Sequence, residues 1–398
     1  MRALAAAWDR ALEERLDVLE RQGLLRQLRP VERPVAPIVV RDGRRLLNLS
    51  SNNYLGLADH PAVKEAMARA AERGAGATAS RLVVGTDRAC LALEEKIAAF
   101  KGTGAALVFG SGYLANLSVL RALLEPGDAV FSDRLNHASI CDGVRVSRAT
   151  LYRYDHCDVE HLQRLLEQAE RDGARRKLIV TETVFSMDGD VAPLQELVEL
   201  KERFDAALVL DDAHGGGVFG PRGEGYAHHV GVAERVDLHI GTFSKAFGVY
   251  GAYAAGSTTW IRFLLNTCRG FIYTTALPPA VVAAVDVAVD LVAEAGEPRR
   301  SLLDNAAHFR RRLVSLGLDI CGSTTQIVPV VVGESERAVA FARALEERGV
   351  LAVPIRPPTV PNGSARVRFS LTAAHTDRDV EETLAAIEDA GRSFSRAS

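Results

Sequence analysis

The sequence is short of cysteine, of long hydrophobic runs and of net charge, and each shortage excludes a class of protein. Its 5 cysteines are scattered and form no C-x-x-C pair, which argues against a disulfide framework or a structural zinc site and favours a reducing compartment. No apolar run reaches the ~18 residues that a membrane-spanning helix needs. A net charge of −3 provides no basic field for nucleic acid or an anionic membrane. We therefore expect a cytoplasmic protein with neither nucleic-acid nor membrane partners.

The N-terminal segment, residues 1–50, is too short to form a core of its own. Its acidic residues come early, so residues 3–27 are predicted to form an amphipathic helix and not a signal peptide. Pro30 and two further prolines then exclude regular helix. The apolar stretches 38–40 and 46–49 flank a polar turn and predict a hairpin. We expect this segment to pack beside the C-terminal domain or on a partner subunit.

Short apolar stretches alternate with helix-length segments through the middle of the chain. This alternation predicts an α/β fold with a mostly parallel sheet and helices on both faces. Ligands of such sheets bind beyond the carboxyl ends of the strands. The predicted strands are 105–109, 129–132, 150–154, 177–182, 207–211 and 238–242.

The C-terminal part is predicted to be a smaller α+β domain, residues 291–398, that follows a large domain of residues 51–290. Its predicted strands are 326–332, 351–355 and 366–371. The predicted helices that lead into it or belong to it are 278–295, 298–316, 335–348 and 377–390.

Three polar segments follow predicted strands of the large domain. The glycine-rich turn 110–113 opens a helix, so it could hold a phosphate on backbone amides, although an ordinary tight turn is the alternative. His137 could stack on a flat heteroaromatic ring, or be a half-buried helix cap. The segment 182–190 would line the same cleft or contain a plain turn.

Asp211 and Lys245 give the strongest chemical signal. Asp211 ends a wholly apolar strand, and a carboxylate there needs a cationic partner such as a protonated pyridine nitrogen. The alternatives for Asp211 and Asp212 are helix capping or magnesium binding. Lys245 lies among small and apolar residues, where desolvation would free its amine, although a surface lysine is possible. With a phosphate cradle and the ring-stacking His137, this order of residues predicts pyridoxal 5'-phosphate (PLP) and no metal, and His214 could hydrogen-bond the phenolate of such a ring.

The motifs around these residues resemble those of the α-oxoamine synthases, a family of fold-type I PLP-dependent enzymes. The resemblance covers essentially the whole chain. The motifs are SNNYLGL, SRLVVGT, GSGYLAN, DRLNHASI, TETVFSMDGD, DDAHGGGVFG, GTFSKAFG, FIYTTALPP and IRPPTVPNGSARVRFSLTAAHT.

The resemblance implies roles for individual residues of the chain. Lys245 would bind the cofactor covalently and remove the substrate's α-proton, and His137 would stack on the cofactor ring and orient the substrate carbonyl. Asp211 would pair with the ring nitrogen and His214 with the ring oxygen. The further implied contacts are Gly112, Tyr113 and Thr242 at the phosphate, Glu182 and Ser186 along the cofactor cleft, Thr274 or Thr275 at the phosphate of the neighbouring subunit of a homodimer, Arg368 and Asn52 at the amino-acid carboxylate, and Arg26 at the distal carboxylate of a pimeloyl chain. A solvated helix end is the alternative for Arg26.

The implied reaction is a decarboxylative condensation of L-alanine with a pimeloyl thioester of coenzyme A or an acyl-carrier protein. Cys90 stands where relatives often have His, and Asn53 stands where Asp is common. Ser244 stands where the pimeloyl-using members usually have Gly, and Ser at this position is typical of the sphingolipid branch of the family. The main alternative is therefore a family member that uses glycine or serine and another acyl thioester. A non-catalytic partner subunit would be expected to lose Lys245, and the C-terminal motif argues against an aminotransferase.

Overall fold

A computed structural model describes residues 2–26 and 28–395 of the chain. It begins with helix α1 (Arg2–Arg21), which is shorter than the predicted helix. Gly23 adopts φ +65°, and the N–H of Leu24 donates to the carbonyl of Leu19 at 2.8 Å. This is the hydrogen-bond pattern of a Schellman cap, which ends a helix. The prediction over 3–27 was therefore wrong after residue 21, and its last residue, Gln27, lies outside the described residues.

The predicted hairpin is confirmed as strands β1 (Ile38–Arg41) and β2 (Arg44–Asn48). They pair antiparallel with Arg41 opposite Arg44. The two turn residues between them, Asp42 and Gly43, both have positive φ, as a two-residue hairpin turn requires.

A seven-stranded sheet forms the centre of the molecule, as the predicted α/β class requires. Its strands are β3 (Ala105–Phe109), β4 (Ala129–Asp133), β5 (Thr150–Tyr154), β6 (Lys177–Glu182), β7 (Ala206–Asp211), β8 (Leu238–Thr242) and β9 (Ala252–Gly256). Their spatial order is β3-β9-β8-β7-β6-β4-β5. Strand β9 runs opposite to the other six strands of this sheet. It was missing from the prediction because its Gly- and Ala-rich sequence has low β-propensity.

Helices cover both faces of this sheet. Successive residues of β7 show the arrangement, because Val209 packs in the apolar cluster that contains Val119, whereas Leu208 packs in the cluster that contains Leu162. The helices of this region are α2 (Pro61–Ala71), α3 (Arg88–Lys101), α4 (Gly112–Leu123), α5 (Ala138–Ser147), α6 (Val159–Arg171), α7 (Leu194–Arg203), α8 (Tyr226–His229), α9 (Thr258–Thr267), α10 (Arg269–Ile272) and α11 (Pro279–Glu294). Burial on both faces explains why the strands are almost continuously apolar.

The C-terminal part contributes strands to two further sheets. Its elements are α12 (Gly296–Ser315), β10 (Ile327–Gly333), α13 (Ser335–Glu347), β11 (Val350–Leu351), β12 (Val353–Ile355), β13 (Ala365–Ser370) and α14 (Asp377–Ser395). The sheets have the orders β10-β13-β12 and β1-β2-β11. The single strand predicted over 351–355 was wrong, because β11 and β12 belong to different sheets. Since β11 pairs with β2, the N-terminal hairpin packs on the C-terminal part as expected. The exact domain boundaries stay a prediction.

No helix within the described residues is both long and apolar enough to cross a membrane.

A buried ion pair joins the loop before α3 to that helix. Arg81 donates to both carboxylate oxygens of Glu94 at 2.8 and 2.9 Å, with side chains only 6% and 9% exposed. Glu94 also accepts the N–H of Val108 in β3 at 2.9 Å. We expect Glu94→Ala to lower the free energy of unfolding by about 3–5 kcal/mol, because it leaves a buried guanidinium without its partner. Urea denaturation measures this loss.

Glu65→Ala is the control for this prediction. Glu65 pairs with Arg69 one helical turn away, and both side chains are largely exposed. Such a pair contributes at most about 1 kcal/mol. Equal losses of unfolding free energy for the two variants would show that the buried ion pair stabilises the fold no more than the exposed one.

Candidate active site

A pocket of ≈ 340 Å³ lies at the carboxyl ends of the central strands. Glu182, Asp211 and Thr242 are the last residues of β6, β7 and β8, so the parallel sheet brings them to one edge. Gly112 begins α4 and His137 caps α5. The predicted residues that line the pocket are Asn52, Gly112, Tyr113, His137, Glu182, Ser186, Asp211, His214, Thr242, Lys245 and Arg368.

The neighbouring aspartates Asp211 and Asp212 have different hydrogen-bond and ion-pair partners. Asp211 accepts hydrogen bonds from the Asn116 side chain at 2.6 Å and from the Ala213 N–H at 2.9 Å. Asp212 accepts from the Thr183 hydroxyl at 2.6 Å and forms a buried ion pair with Lys101 at 3.4 Å. Of the two, only Asp211 lines the pocket, so they do not form a shared magnesium site.

The Lys245 side chain enters the pocket between acidic groups. Desolvation lowers the pKa of its amine, the carboxylates of Asp211 and Glu182 act in the opposite direction, and the Arg368 charge lowers it further. The net shift is downward, so a larger fraction of the amine is neutral near pH 7 than for a lysine in water. A neutral amine is the form that attacks carbonyl carbon and accepts protons.

His214 is held by Tyr54 on the inner side of the pocket. Its Nδ1 lies 2.7 Å from the Tyr54 hydroxyl, so any ligand contact would come from Nε2. Burial, with the nearby charges of Lys245 and Arg368, lowers the pKa of His214 well below its usual value, and the ring is therefore neutral. The Gln326 amide donates to the His214 carbonyl at 2.9 Å. Sequence reasoning missed Tyr54 and Gln326, although Tyr54 belongs to the quoted SNNYLGL motif.

Arg368 is a buried cation with a fixed orientation. Its Nε donates to the Ser186 carbonyl at 2.6 Å, and its Nη1 and Nη2 lie 3.3 and 3.2 Å from Asn52 Oδ1. The residue is 4% exposed, yet it forms no ion pair with any residue the structure describes. Its Nη1 also donates to the Ser370 hydroxyl at 2.8 Å. A buried guanidinium with no anionic partner fits a ligand carboxylate, which could replace Asn52 Oδ1 as the acceptor of its Nη1 and Nη2 N–H groups.

The residues of the pocket fit PLP. Asp211 provides an anion for a protonated ring nitrogen, and the N-terminus of α4 at Gly112 provides amides for a phosphate. In addition, Asn116 Oδ1 and Glu182 Oε1 are buried without a hydrogen-bond partner within the described part of the chain. Both residues line the pocket, so the site contains polar groups whose hydrogen bonds the described part of the chain does not complete.

Three predicted contacts lie outside the pocket. Thr274 and Thr275 line a separate small cavity with Arg81, and Arg26 is exposed on the surface. The roles of the two threonines across a dimer interface, and of Arg26 at the acyl chain, stay predictions.

Tyr113 lies at the pocket mouth, where its hydroxyl donates to Asp142 and its ring meets His137 edge-on.

Of the three departures from the family pattern, only Ser244 lines the pocket. Its hydroxyl lies 2.7 Å from the Thr242 hydroxyl. Cys90 is buried in the first turn of α3. The Asn53 side chain accepts the Ala58 N–H at 3.2 Å and donates to the Val35 carbonyl at 3.3 Å. Ser244 is therefore the departure that bears on ligand choice.

His156 fixes the loop that carries Ser186. Its Nδ1 lies 3.0 Å from Asp133 and its Nε2 2.7 Å from Asp190. Burial disfavours the imidazolium, but the hydrogen bonds to both carboxylates outweigh this and raise the pKa of His156 to about 12. Because the folded pKa lies above the unfolded one, this stabilisation is complete below about pH 6.5 and is lost as pH rises toward 12.

We therefore expect the free energy of unfolding to fall more steeply from pH 7 to pH 10 in the wild type than in His156→Gln. The additional slope can reach about 1.4 kcal/mol per pH unit. Urea denaturation at several pH values measures it. His308→Gln, which alters a surface histidine bound to Glu381, should keep the wild-type slope. Parallel pH curves for wild type and His156→Gln would contradict the prediction.

Comparison with known proteins gives a consistent result. The family model for aminotransferase class I and II matches residues 44–387. The 8-amino-7-oxononanoate synthase of Geobacter sulfurreducens is 52% identical over 386 residues, which cover 96% of this chain and 98% of that protein. A serine palmitoyltransferase variant from S. paucimobilis, solved with PLP and myriocin, superposes with a TM-score of 0.90 at 31% identity, covering 97% and 98% of the two chains. An 8-amino-7-oxononanoate synthase structure from Francisella tularensis gives a TM-score of 0.76 at 25% identity, covering 88% and 99%.

The fold and the pocket define a PLP-dependent transferase, and the chain belongs to the aminotransferase class I and II family. Within that family it is an α-oxoamine synthase, with about half of its residues identical to those of curated 8-amino-7-oxononanoate synthases over nearly its full length.

Proposed function

We propose that this chain condenses L-alanine with a pimeloyl thioester to give 8-amino-7-oxononanoate, carbon dioxide and a free thiol, a step of biotin synthesis. The single structural observation that supports this reaction type best is the presence of Lys245, Asp211 and Arg368 in one pocket, where Arg368 has no carboxylate partner among the described residues. The choice of substrates rests on the similarity to enzymes of that name.

The chain's own residues account for binding and proton transfer. Asp211 would hold the ring nitrogen of PLP, and the N-terminus of α4 with Thr242 would hold its phosphate. When bound, PLP supplies an electron sink for negative charge at the amino acid's α-carbon. Arg368 binds the amino-acid carboxylate and so fixes the α-carbon relative to Lys245. The Lys245 amine would accept the α-proton.

We extend the proposal to a cytoplasmic homodimer. Leu82, Val83 and Val84 are exposed apolar residues, as is Tyr273. They lie near Thr275, because Ser80 forms a β-bridge with it. An apolar surface near Thr275 supports a subunit contact there. Assays with the pimeloyl thioesters of coenzyme A and of an acyl-carrier protein identify the acyl carrier.

The experiment compares thiol release from pimeloyl-CoA with L-alanine, glycine and L-serine under identical conditions. We expect L-alanine to give the highest kcat/KM, and mass spectrometry to detect 8-amino-7-oxononanoate. A preference for L-serine or glycine would favour the alternative, another α-oxoamine synthase. That alternative has its support in Ser244, whose hydroxyl lies at the pocket.

A further inference from the structure

A chain of short hydrogen bonds connects Asp211 to His137 through two residues that the proposed reaction does not use. The Asn116 amide nitrogen lies 2.6 Å from Asp211 Oδ2 and 2.9 Å from the Ser139 hydroxyl. The Ser139 hydroxyl lies 2.7 Å from His137 Nδ1. Asn116 is 2% exposed and Ser139 is fully buried. Water therefore does not compete for these bonds.

The chemistry of the partners sets the direction of each bond. The Asp211 carboxylate can only accept, so the nitrogen of the Asn116 amide must face it and donate. A reversed amide would place two acceptor oxygens against each other. The second N–H of the same nitrogen donates to the Ser139 oxygen, and the Ser139 O–H is available to donate to His137 Nδ1.

A second, longer contact favours the same state of His137 Nδ1. The backbone N–H of Ser139 also points to this nitrogen, at 3.2 Å, as part of the N-terminal cap of α5. A proton on Nδ1 would face this N–H directly. Nδ1 must therefore carry a lone pair, and the proton of the neutral ring resides on Nε2.

We propose that Asn116 and Ser139 are positioning residues that keep His137 neutral with its proton on Nε2, so that His137 donates a hydrogen bond to a substrate oxygen. That oxygen belongs either to the amino-acid carboxylate or to the acyl carbonyl. Only this last contact rests on the proposed function, because the tautomer follows from the chain's own residues.

The surroundings of His137 agree with this state. Desolvation lowers the pKa of His137, and the Lys245 charge lowers it further, whereas the carboxylates of Asp211 and Asp142 act to raise it. Tyr113 packs edge-on against the ring. Loss of the Ser139 hydroxyl would remove a donor that opposes protonation of Nδ1, so the pKa of His137 should rise in Ser139→Ala.

The first test is ¹⁵N NMR of histidine-labelled protein, with His137→Asn used to assign the signal. We expect an unprotonated Nδ1 and a protonated Nε2 in the wild type, both with and without PLP. Ser139→Ala should raise the pKa of His137 and mix the tautomers, and Ser139→Thr, which keeps the hydroxyl, should restore the wild-type spectrum. Ser147→Ala, a buried serine of the same helix that bonds the Val144 carbonyl, should change neither. A protonated Nδ1 in the wild type, or an unchanged spectrum in Ser139→Ala, would overturn the proposal.

The second test locates the substrate oxygen. L-alanine and pimeloyl-CoA are added separately to labelled holoenzyme, and the addition that shifts the Nε2 signal identifies the acceptor. We expect Ser139→Ala to raise the KM of that same substrate about tenfold, the effect of one weakened hydrogen bond. No shift with either substrate would refute the contact even if the tautomer is as proposed. Absence of product with a normal tautomer would instead count against the proposed reaction.

Discussion

Lys245→Ala should lower kcat by at least about 10³-fold, because general-base catalysis alone contributes about 10²–10⁴-fold. The variant should also lose its covalent bond to PLP while still binding the cofactor at Asp211 and the N-terminus of α4. The structure supports both expectations, since the amine lies in the pocket and its pKa is lowered by desolvation. Turnover measured by thiol release, and cofactor retention after denaturation, give the two readouts.

Lys245→Arg tests whether the site requires the positive charge of residue 245 or an amine that can accept a proton. Arginine keeps the cation beside Asp211 and Glu182, but it is not deprotonated in proteins, so it should be as inactive as alanine. Lys64→Ala, which removes a surface lysine paired with Asp59, should leave kcat unchanged. An active Lys245→Arg variant would mean that positive charge, and not a proton-accepting amine, is what the site requires.

Arg368→Lys is expected to raise the KM of the amino acid about 30-fold and to change kcat less. Lysine keeps the charge but loses the planar pair of N–H groups that a carboxylate accepts. The loss of a charged hydrogen bond costs about 2 kcal/mol, which corresponds to this factor. Steady-state kinetics at saturating acyl thioester measures it, and the KM of the acyl thioester should stay close to the wild-type value.

Arg310→Lys is a suitable control for Arg368→Lys. Arg310 is also held by a carbonyl, that of Thr325, but it does not line the pocket. Its substitution should leave both KM values unchanged. If Arg368→Lys raised the KM of the acyl thioester instead, Arg368 would contact the acyl substrate and not the amino acid.

The sequence allowed the pocket to be predicted because parallel strands end at one edge. Glu182, Asp211 and Thr242 each follow an apolar stretch, so their convergence needed only the strand positions and the rule for parallel sheets. Strand β9 did not follow from the sequence, because alanine and glycine give little β signal and its antiparallel pairing is set by its neighbours.

The contacts between pocket residues could not be predicted in the same way. Asn116 lies in a quoted motif, yet its bonds to Asp211 and Ser139 depend on how α4 and α5 pack against the sheet. Tyr54 and Gln326 come from distant parts of the chain and both contact His214. For the same reason sequence reasoning could not show that Arg368 is oriented by Ser186, because β13 reaches the pocket from the C-terminal part.

Borohydride reduction of the holoenzyme followed by peptide mass spectrometry tests the central claim most directly. We predict that the mass of reduced PLP is found on the peptide that contains Lys245 and on no other. Lys101, the fully buried lysine paired with Asp212, is the internal comparison. Reduced cofactor on Lys101 or on a surface lysine, or on none, would contradict the role assigned to Lys245 and with it the proposed reaction.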